Sequence, residues 1–250
     1  VKRINDTGGV KVGGKSYKLK VVYYDDESTP SRASQLTERL VKQDGVDFML
    51  GPYSTTMTKA VAPVTEKYKV PMVEAEGASR SLFTQGYKYM FAVLSTSEYY
   101  LAPVLDLIAQ RAKAGWKSPS DLRIGMAFEN DGFSLDVRAG VLDVAKKYRM
   151  KIVIDDKLPA DLSDMSATLT KFKALKPDIL LVSGHSKGAA TAARQIEEMK
   201  INASAISITH CEAAKVHVKF PKSANGILCP TQWLTNLPNS EPIFGDAQKY

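Results

Sequence analysis

The stretch VDFMLGPYSTT, residues 46–56, decides the fold class. Its apolar start predicts a short buried strand at residues 46–50, and the Gly-Pro-Tyr sequence at 51–53 predicts a turn. Ser54 or Thr55 then predicts the N-cap of a helix. A strand that leads through a short turn into a helix is the unit from which parallel α/β sheets are built.

The same alternation extends in both directions from this stretch. Further strands are predicted at residues 18–24, 70–73, 89–93, 122–128, 151–154, 178–183, 205–209 and 226–230. Helices are predicted at about residues 30–44, 54–68, 98–114, 134–148, 163–175 and 187–200. Such alternation predicts right-handed βαβ units, and hence an α/β protein with two doubly wound parallel-sheet lobes.

The segment KAGWKSPS, residues 113–120, is typical of a linker between two lobes. We expect the first lobe at residues 1–114, the second lobe at 115–229, and a return segment towards the first lobe at 230–250. In open α/β sheets, ligands bind beyond the carboxyl ends of the strands. The facing strand ends of two lobes therefore predict one shared cleft as the functional site.

Composition excludes several classes of protein. The chain has 250 residues, of which 44% are apolar and 24% charged, as in globular rather than disordered proteins. No apolar run approaches the roughly 20 residues that a membrane-spanning helix needs. The net charge of +7 is spread along the chain, without basic runs or interleaved aromatic residues, which argues against nucleic acid as a partner.

Cysteine and histidine give no metal signature. Either a disulfide or two buried thiols would suit the two cysteines, Cys211 and Cys229. The histidines lack metal-ligand spacing with these cysteines. His210, Cys211 and Glu212 are consecutive, so at most two of them could face one ion. We therefore predict neither a bound metal nor a cofactor.

Two motifs resemble those of enzymes. Residues 9–16, GVKVGGKS, match a phosphate-binding loop, but a β-rich run follows where that loop needs a helix, so we predict a glycine-rich turn. Residues 184–188, GHSKG, match the nucleophile elbow of hydrolases, with Ser186 as the candidate nucleophile. The downstream acids Glu197 and Glu198 lie in the helix that starts at this elbow and are poorly placed to orient a histidine. A ligand-contacting loop is favoured, and a serine hydrolase remains an alternative.

The clearest site signal lies where the helix of the opening stretch begins. Ser54, Thr55 and Thr56 offer hydroxyl donors beside the N–H groups that lack partners within the helix. Together with the helix dipole, these groups predict a cradle for a carboxylate. Further strand-end loops offer small or polar residues at 77–79, 130–134, 185–186 and 210–212.

The order of seven stretches adds a family resemblance. They are INDTGG (4–9), VYYDD (22–26), DGVDFMLGPYS (44–54), APV (62–64), VPM (70–72), ENDGFS (129–134) and PDILLVSG (177–184). With them the chain resembles the periplasmic solute-binding proteins of ABC transporters, of the branched-chain amino acid (Leu/Ile/Val-binding) type, which have the type I periplasmic binding fold. The resemblance implies lobes joined by hinge strands that close on a small molecule. It also implies an extracytoplasmic receptor, not an enzyme, that delivers its solute to a membrane permease.

The resemblance implies ligand contacts in the first lobe. The contacts to the carboxylate of the ligand fall on Ser54 and Thr55, next to Tyr53. A second set of contacts falls on Gly77, Ala78 and Ser79. These residues would hold the charged end of a branched-chain amino acid or of a related acid.

In the second lobe the resemblance implies an aromatic wall at Phe133 and a further contact at His185. The acidic partner of a ligand ammonium group would fall near Glu212. Phe133 and His185 stand where amino-acid binders often carry tyrosine, so an aromatic acid or a small amide is an alternative ligand. Trp233 could form the floor of such a pocket or pack in the core.

The resemblance further implies that the first βα unit and the C-terminal part of the family fold are absent from this chain. Residues 1–6 are expected to match the tail of the first helix of the family. A ligand-sensing regulatory domain of the same fold, acting through a protein partner, is the alternative function.

Overall fold

The computed structural model describes residues 1–113, 116–241 and 245–249. The strands are β1 (Val10–Val12), β2 (Lys15–Tyr17), β3 (Met49–Leu50), β4 (Met72–Glu74), β5 (Met90–Ala92), β6 (Arg123–Glu129), β7 (Lys151–Leu158), β8 (Ile179–Ser183), β9 (Ala205–Ile208), β10 (Ile227–Leu228), β11 (Ser240–Glu241) and β12 (Gly245–Asp246). The helices are α1 (Lys2–Asp6), α2 (Pro30–Lys42), α3 (Thr55–Tyr68), α4 (Arg80–Phe83), α5 (Ala102–Lys113), α6 (Gly132–Tyr148), α7 (Ser166–Leu175), α8 (Ser186–Glu198), α9 (Val216–Lys219) and α10 (Pro221–Ala224). None of the described helices combines the length and apolarity that a bilayer-spanning segment requires.

Two parallel sheets organise the structure. The larger has five strands in the order β10-β9-β8-β6-β7, and the smaller has three in the order β3-β4-β5. Two antiparallel hairpins, β1 with β2 and β11 with β12, stand apart from them. We call the layers built on the three-stranded and five-stranded sheets the first lobe and the second lobe. The parallel sheets confirm the predicted α/β class.

The sheet of the second lobe is buried on both faces. All of β8 is buried, and its apolar sequence ILLVS suits a parallel strand that is covered on both sides. On one face, Ile124, Met126 and Leu181 pack with residues of α5 and α6. On the other face, Leu180 and Val182 pack with residues of α7 and α8. This packing fixes the position of the loops that leave the carboxyl edge of the sheet.

The described residues cover only one face of the first-lobe sheet. Its register aligns one buried methionine from each strand, Met49, Met72 and Met90. These methionines pack in a core with residues of α2 and α3. The next row, Leu50, Val73 and Phe91, is also aligned across the strands, and these residues are 77%, 38% and 53% exposed. The smaller sheet therefore presents an apolar row to solvent.

The strand predicted at residues 18–24 is wrong. Among the described residues, no backbone hydrogen bond joins this segment to another strand. A β-rich composition is not sufficient, since a strand needs a neighbour whose N–H and C=O groups are aligned with its own. Val22 and Tyr24 instead pack against the core of the first lobe. The preceding residues form the hairpin of β1 and β2, with Gly13 and Gly14 at positive φ, so the glycines lead into a strand as predicted.

Helix α5 begins at Ala102, later than the predicted residue 98, because a 3-10 turn at Ser97–Tyr99 precedes it. Pro103 lacks an N–H group, so it is accommodated in the first turn of the helix but not deeper. The predicted boundary between the two lobes, at residues 114 and 115, lies outside the described residues. The predicted lobe limits therefore remain an expectation.

The two cysteines form a disulfide. The Cα atoms of Cys211 and Cys229 are 5.9 Å apart, and the bond joins the turn after β9 to the residue that follows β10. Of the two alternatives that the sequence allows, the structure has the disulfide.

Helix α6 packs closely on the 3-10 turn because residue 140 is glycine. We expect Gly140→Ala to lower the melting temperature, since the new Cβ would collide with the carbonyl oxygen of Glu98. The expected loss in the free energy of unfolding is about 1–3 kcal/mol. Each kcal/mol lowers the melting temperature by roughly 2–4 °C, which thermal unfolding measures. Ala139→Gly, at an exposed position of the same helix, is the control and should cost about 1 kcal/mol through helix propensity alone. A higher melting temperature for Gly140→Ala would contradict the packing.

Candidate functional site

The loops at the carboxyl ends of the parallel strands meet between the two lobes. The first lobe contributes the loops after β3 and β4, and the second lobe those after β6, β8 and β9. The hydroxyl oxygen of Tyr53 lies 2.9 Å from Nδ1 of His185. The backbone N–H of Arg80 donates to Oδ2 of Asp136 at 2.7 Å. The lobes therefore touch at the edge where open α/β sheets bind their ligands, and we call the region between these loops the cleft.

Ser54 begins helix α3 in an unusual backbone conformation. Its φ of 81° and ψ of 151° belong to a region that residues other than glycine rarely adopt. Its Oγ accepts a hydrogen bond from the N–H of Met57, which is the N-cap interaction. Thr55 is buried, and its Oγ1 accepts from the N–H of Ser79. Both hydroxyl groups are acceptors in these contacts, so each keeps an O–H that can donate to a ligand.

Glu74 organises the loops of the first lobe around a buried carboxylate. Its Oε1 accepts from the N–H groups of Glu76 and Gly77, both at 2.6 Å. Its Oε2 accepts from the hydroxyl of Thr58 on α3 at 2.9 Å. These bonds tie the loop after β4 to helix α3. The sequence analysis missed Glu74, although an acidic residue at the end of an apolar strand is a recognisable signal.

An aromatic cluster spans the cleft between the two lobes. We define it as Tyr53, Tyr100, Phe133, His185 and His210. Phe133 contacts the rings of Tyr100, His185 and His210, with centroids 5.2, 5.5 and 5.1 Å apart. These separations are typical of favourable aromatic pairs. Phe133 is buried and also packs in the core of the second lobe, so the cluster is anchored there.

Polar groups converge beside the cluster at the ends of β6 and β8. Nε2 of His185 lies 2.7 Å from Oδ2 of Asp131 and 4.0 Å from Oε2 of Glu129. Asp131 is the N-cap of α6, and its Oδ1 accepts from the N–H of Ser134. Glu129, Asp131 and His185 each offer a donor atom within 4.8 Å of the others, which suits a metal ion.

The charges of these groups are set by burial and by one another. Burial raises the pKa of Glu129 to about 7, against the opposing charge of His185. Burial acts to lower the pKa of His185, but the hydrogen bond to Asp131 and the two carboxylate charges raise it overall. Burial acts to raise the pKa of Asp131, but the hydrogen bonds from His185 and Ser134 lower it overall. The pKa shifts of His185 and Asp131 thus both favour the charged forms of this pair, while that of Glu129 favours its neutral form.

The structure brings some of the predicted site residues together and not others. The cleft is bordered by the loops and first helical turns that carry Tyr53, Ser54, Thr55, Phe133 and His185. The predicted second set, Gly77, Ala78 and Ser79, is buried in the same region. Its groups already have protein partners, because the Gly77 N–H binds Glu74, the Ser79 N–H binds Thr55, and Ala78 packs in a core.

Two further predicted residues are exposed. Glu212 is exposed on the turn after β9. Trp233 is 43% exposed, and its neighbour Gln232 contacts the cluster. Gln232 accepts from the N–H of Ser95 at 2.7 Å and donates to the hydroxyl of Tyr100. The acidic groups that do lie at the cleft, Glu129 and Asp131, follow directly on the predicted strand 122–128, and their position there could have indicated them.

Ser186 lacks the surroundings of a catalytic nucleophile. It is the first residue of α8 and lines a shallow groove with Lys187, Ala213 and Phe220. Among the described residues, no histidine ring hydrogen-bonds to its hydroxyl group. The neighbouring His185 instead uses its two ring nitrogens on Tyr53 and Asp131.

Comparison with known proteins supplies the wider context. The model of the family described as periplasmic binding protein matches residues 1–244. The Leu/Ile/Val-binding protein homolog 8 of Brucella abortus is 24% identical over 199 residues, which is 79% of this chain and 48% of that protein. The chain thus spans about half the length of the curated relatives that it matches.

Two solved structures share the fold. One is the branched-chain amino acid transporter substrate-binding protein of Streptococcus pneumoniae in complex with isoleucine, with a TM-score of 0.77, 22% identity, and coverage of 96% of this chain and 65% of that chain. The other is a solute-binding protein of an ABC transporter from Rhodopseudomonas palustris in complex with 3,4-dihydroxybenzoic acid, with a TM-score of 0.69, 23% identity, and coverage of 83% and 54%. They confirm the type I periplasmic binding fold. The curated relatives are named as amino-acid-binding proteins and the two solved structures as binding proteins of transporters, and none of these is named as an enzyme.

The raised pKa of Glu129 predicts a pH dependence of stability. The native state binds a proton on Glu129 between the unfolded pKa of about 4.5 and the native value of about 7, where the unfolded chain does not. The buried carboxyl group therefore destabilises the fold as the pH rises through this window. The melting temperatures of Glu129→Gln and of the parent protein are compared in buffer with EDTA. We expect the difference, variant minus parent, to be several degrees more positive at pH 8 than at pH 5. A difference that stays constant between the two pH values would contradict this assignment.

Proposed function

Since the chain belongs to the periplasmic binding protein family, we propose that it is the solute-binding part of an extracytoplasmic receptor of an ABC transporter. It binds a small carboxylate-bearing organic molecule between its lobes, and the permease of the transporter receives that molecule. The observation that carries the proposal is the meeting of the α3 N-terminus with the aromatic cluster across one cleft, through Tyr53 and His185. No chemical step is required of any residue.

The carboxylate of the solute binds at the N-terminus of α3. Ser54 and Thr55 supply hydroxyl donors, and the first N–H groups of a helix, which lack partners within it, attract an anion. The closely packed loop of residues 77–79 holds Thr55 in place through the N–H of Ser79. No lysine or arginine is needed, because hydrogen bonds to a partly buried carboxylate are charge-assisted.

The remaining part of the solute contacts the aromatic cluster. Tyr100 and His185 contact the buried Phe133, Tyr53 contacts His185, and these rings favour a flat or apolar group. The fold neighbours were solved with an aliphatic amino acid in one case and an aromatic acid in the other. The aromatic cluster favours the aromatic acid for this chain, and a branched-chain amino acid is the second candidate.

The disulfide supports the extracytoplasmic location. Disulfides persist in oxidising compartments and are rare in the cytosol, where thiols are kept reduced. The Cys211–Cys229 bond lies in the second lobe, close behind the loop that carries His210. A periplasmic receptor would keep this bond, which favours the transport function over an intracellular sensor of the same fold.

Matched acid and amide pairs test the solute class. We expect either 4-hydroxybenzoate or isoleucine to raise the melting temperature of the chain, and 4-hydroxybenzamide or isoleucinamide to raise it much less. A solute at 100 times its Kd stabilises by about 2.7 kcal/mol, or roughly 5–10 °C at this chain length. Equal shifts for acid and amide would overturn the carboxylate contact. No shift with any of the four would overturn both proposed solute classes.

Ser54 can be tested without loss of the fold. Because its φ is positive, Ser54→Gly removes the hydroxyl group and relieves the backbone, and glycine at an N-cap costs only a few tenths of a kcal/mol. We expect the affinity for the stabilising acid to fall at least about tenfold, as when a charged group loses a hydrogen bond, while the melting temperature is kept. Thr170→Ala, which removes a hydroxyl group from an exposed position of α7, is the control and should bind as the parent does. Calorimetry with unchanged affinity for Ser54→Gly would place the carboxylate elsewhere.

A further inference from the structure

We propose that Glu129, Asp131 and His185 bind a divalent transition-metal ion, with Zn²⁺ as the best match to the donor set. Each residue contributes one donor atom, Oε2, Oδ2 and Nε2 respectively, and all three atoms lie within 4.8 Å of one another. The three residues end β6, cap α6 and cap α8, so three separate elements converge on one point.

The spacing of the donor atoms fits one ion. A metal at about 2.0–2.2 Å from nitrogen and oxygen ligands places those ligands roughly 3–3.5 Å apart. The separations here are 2.7 Å from His185 to Asp131 and 4.0 Å from His185 to Glu129. Small rotations of two side chains therefore bring the three atoms into a coordination sphere without a change of backbone.

Glu129 supplies independent support, because one of its oxygens lacks a partner. The residue is 1% exposed, and among the described residues its Oε2 is one of two buried side-chain oxygens without a hydrogen bond, the other being Oε2 of Glu98. Leaving a buried carboxylate oxygen unpartnered is costly. The atom faces His185 across 4.0 Å, so an ion at that point would satisfy it.

The surroundings are built to hold this carboxylate. A Cβ at residue 184 would lie 2.6 Å from Oε1 of Glu129, and one at residue 188 would lie 2.5 Å from it. Glycine at both positions therefore leaves the room that Glu129 occupies. The same Oε1 accepts from the backbone N–H of His185, which leaves Oε2 as the oxygen available to a ligand.

Neighbouring groups orient the other two ligands, as is usual in metal sites. With Nε2 on the ion, Nδ1 of His185 carries the proton and donates to the hydroxyl oxygen of Tyr53 at 2.9 Å. Oδ1 of Asp131 accepts from the N–H of Ser134 at 2.7 Å, which turns Oδ2 towards His185. Three protein ligands leave a coordination position for water.

The donor set selects the class of ion. Magnesium and calcium prefer oxygen ligands throughout, whereas imidazole nitrogen with carboxylate suits zinc and its neighbours. The inference does not depend on which solute the cleft binds, because the ion can be measured in the absence of any solute.

The test is a calorimetric titration of Zn²⁺ into the whole 250-residue chain, purified without a polyhistidine tag and stripped with EDTA. We expect one equivalent to bind at pH 7.5 with a Kd below about 10 µM, and Mg²⁺ to give no binding heat. Glu129→Gln and His185→Gln should each weaken Zn²⁺ binding at least about tenfold. Asp131→Asn should do the same while it preserves the N-cap of α6, since asparagine caps as well as aspartate.

A matched control excludes a surface histidine as the binding group. His217 is exposed on α9, so His217→Gln should leave the affinity for Zn²⁺ unchanged. Absence of Zn²⁺ binding below about 100 µM would overturn the proposal. So would binding that is lost in His217→Gln, or that persists undiminished in folded Glu129→Gln and Asp131→Asn.

Discussion

The parallel pairing of β6 with β8 is the constraint on which the cleft depends. The register places Phe128 opposite Ser183, so β6 and β8 end within one residue of each other, at the edge where Glu129 accepts from the N–H of His185. Apolar burial on both faces holds this pair of strands, and only then can polar groups be placed at their ends. The apolar core of the second lobe therefore fixes the positions of the loops that carry the polar groups.

Two buried carboxylates serve opposite purposes in the two lobes. Glu74 has donors on both oxygens, and its bonds to two N–H groups and to Thr58 make it part of the framework of the first lobe. Glu129 is equally buried but keeps one oxygen without a donor. A satisfied buried carboxylate rigidifies its surroundings, whereas an unsatisfied one is available for a ligand. Glutamate thus stabilises the loops of one lobe and offers an oxygen to a ligand in the other.

The sequence predicts those features that depend on local pattern. Continuous apolar runs gave the strands of the second lobe, and the hydroxyl residues after the Gly-Pro-Tyr turn gave the N-cap at Ser54. The strand predicted at residues 18–24 was wrong because a strand needs a partner strand, and local composition carries no information about that partner. The place of Glu129 at the end of a strand could be read, but its lack of a hydrogen-bond donor at Oε2 could not, because that depends on the tertiary structure. The sequence pattern indicated Phe133 as a site residue. Its contact with Tyr100 depends on the tertiary structure and could not be predicted.

The exposed row of Leu50, Val73 and Phe91 on the smaller sheet has a consequence for the chain in solution. Apolar surface of this kind favours association of any two copies that meet face to face. The net charge of +7 opposes that encounter through repulsion between like-charged molecules. Salt screens the repulsion but leaves the hydrophobic attraction in place. The colloidal stability of this chain is therefore governed by ionic strength, and dilute buffer is the condition that keeps its molecules apart.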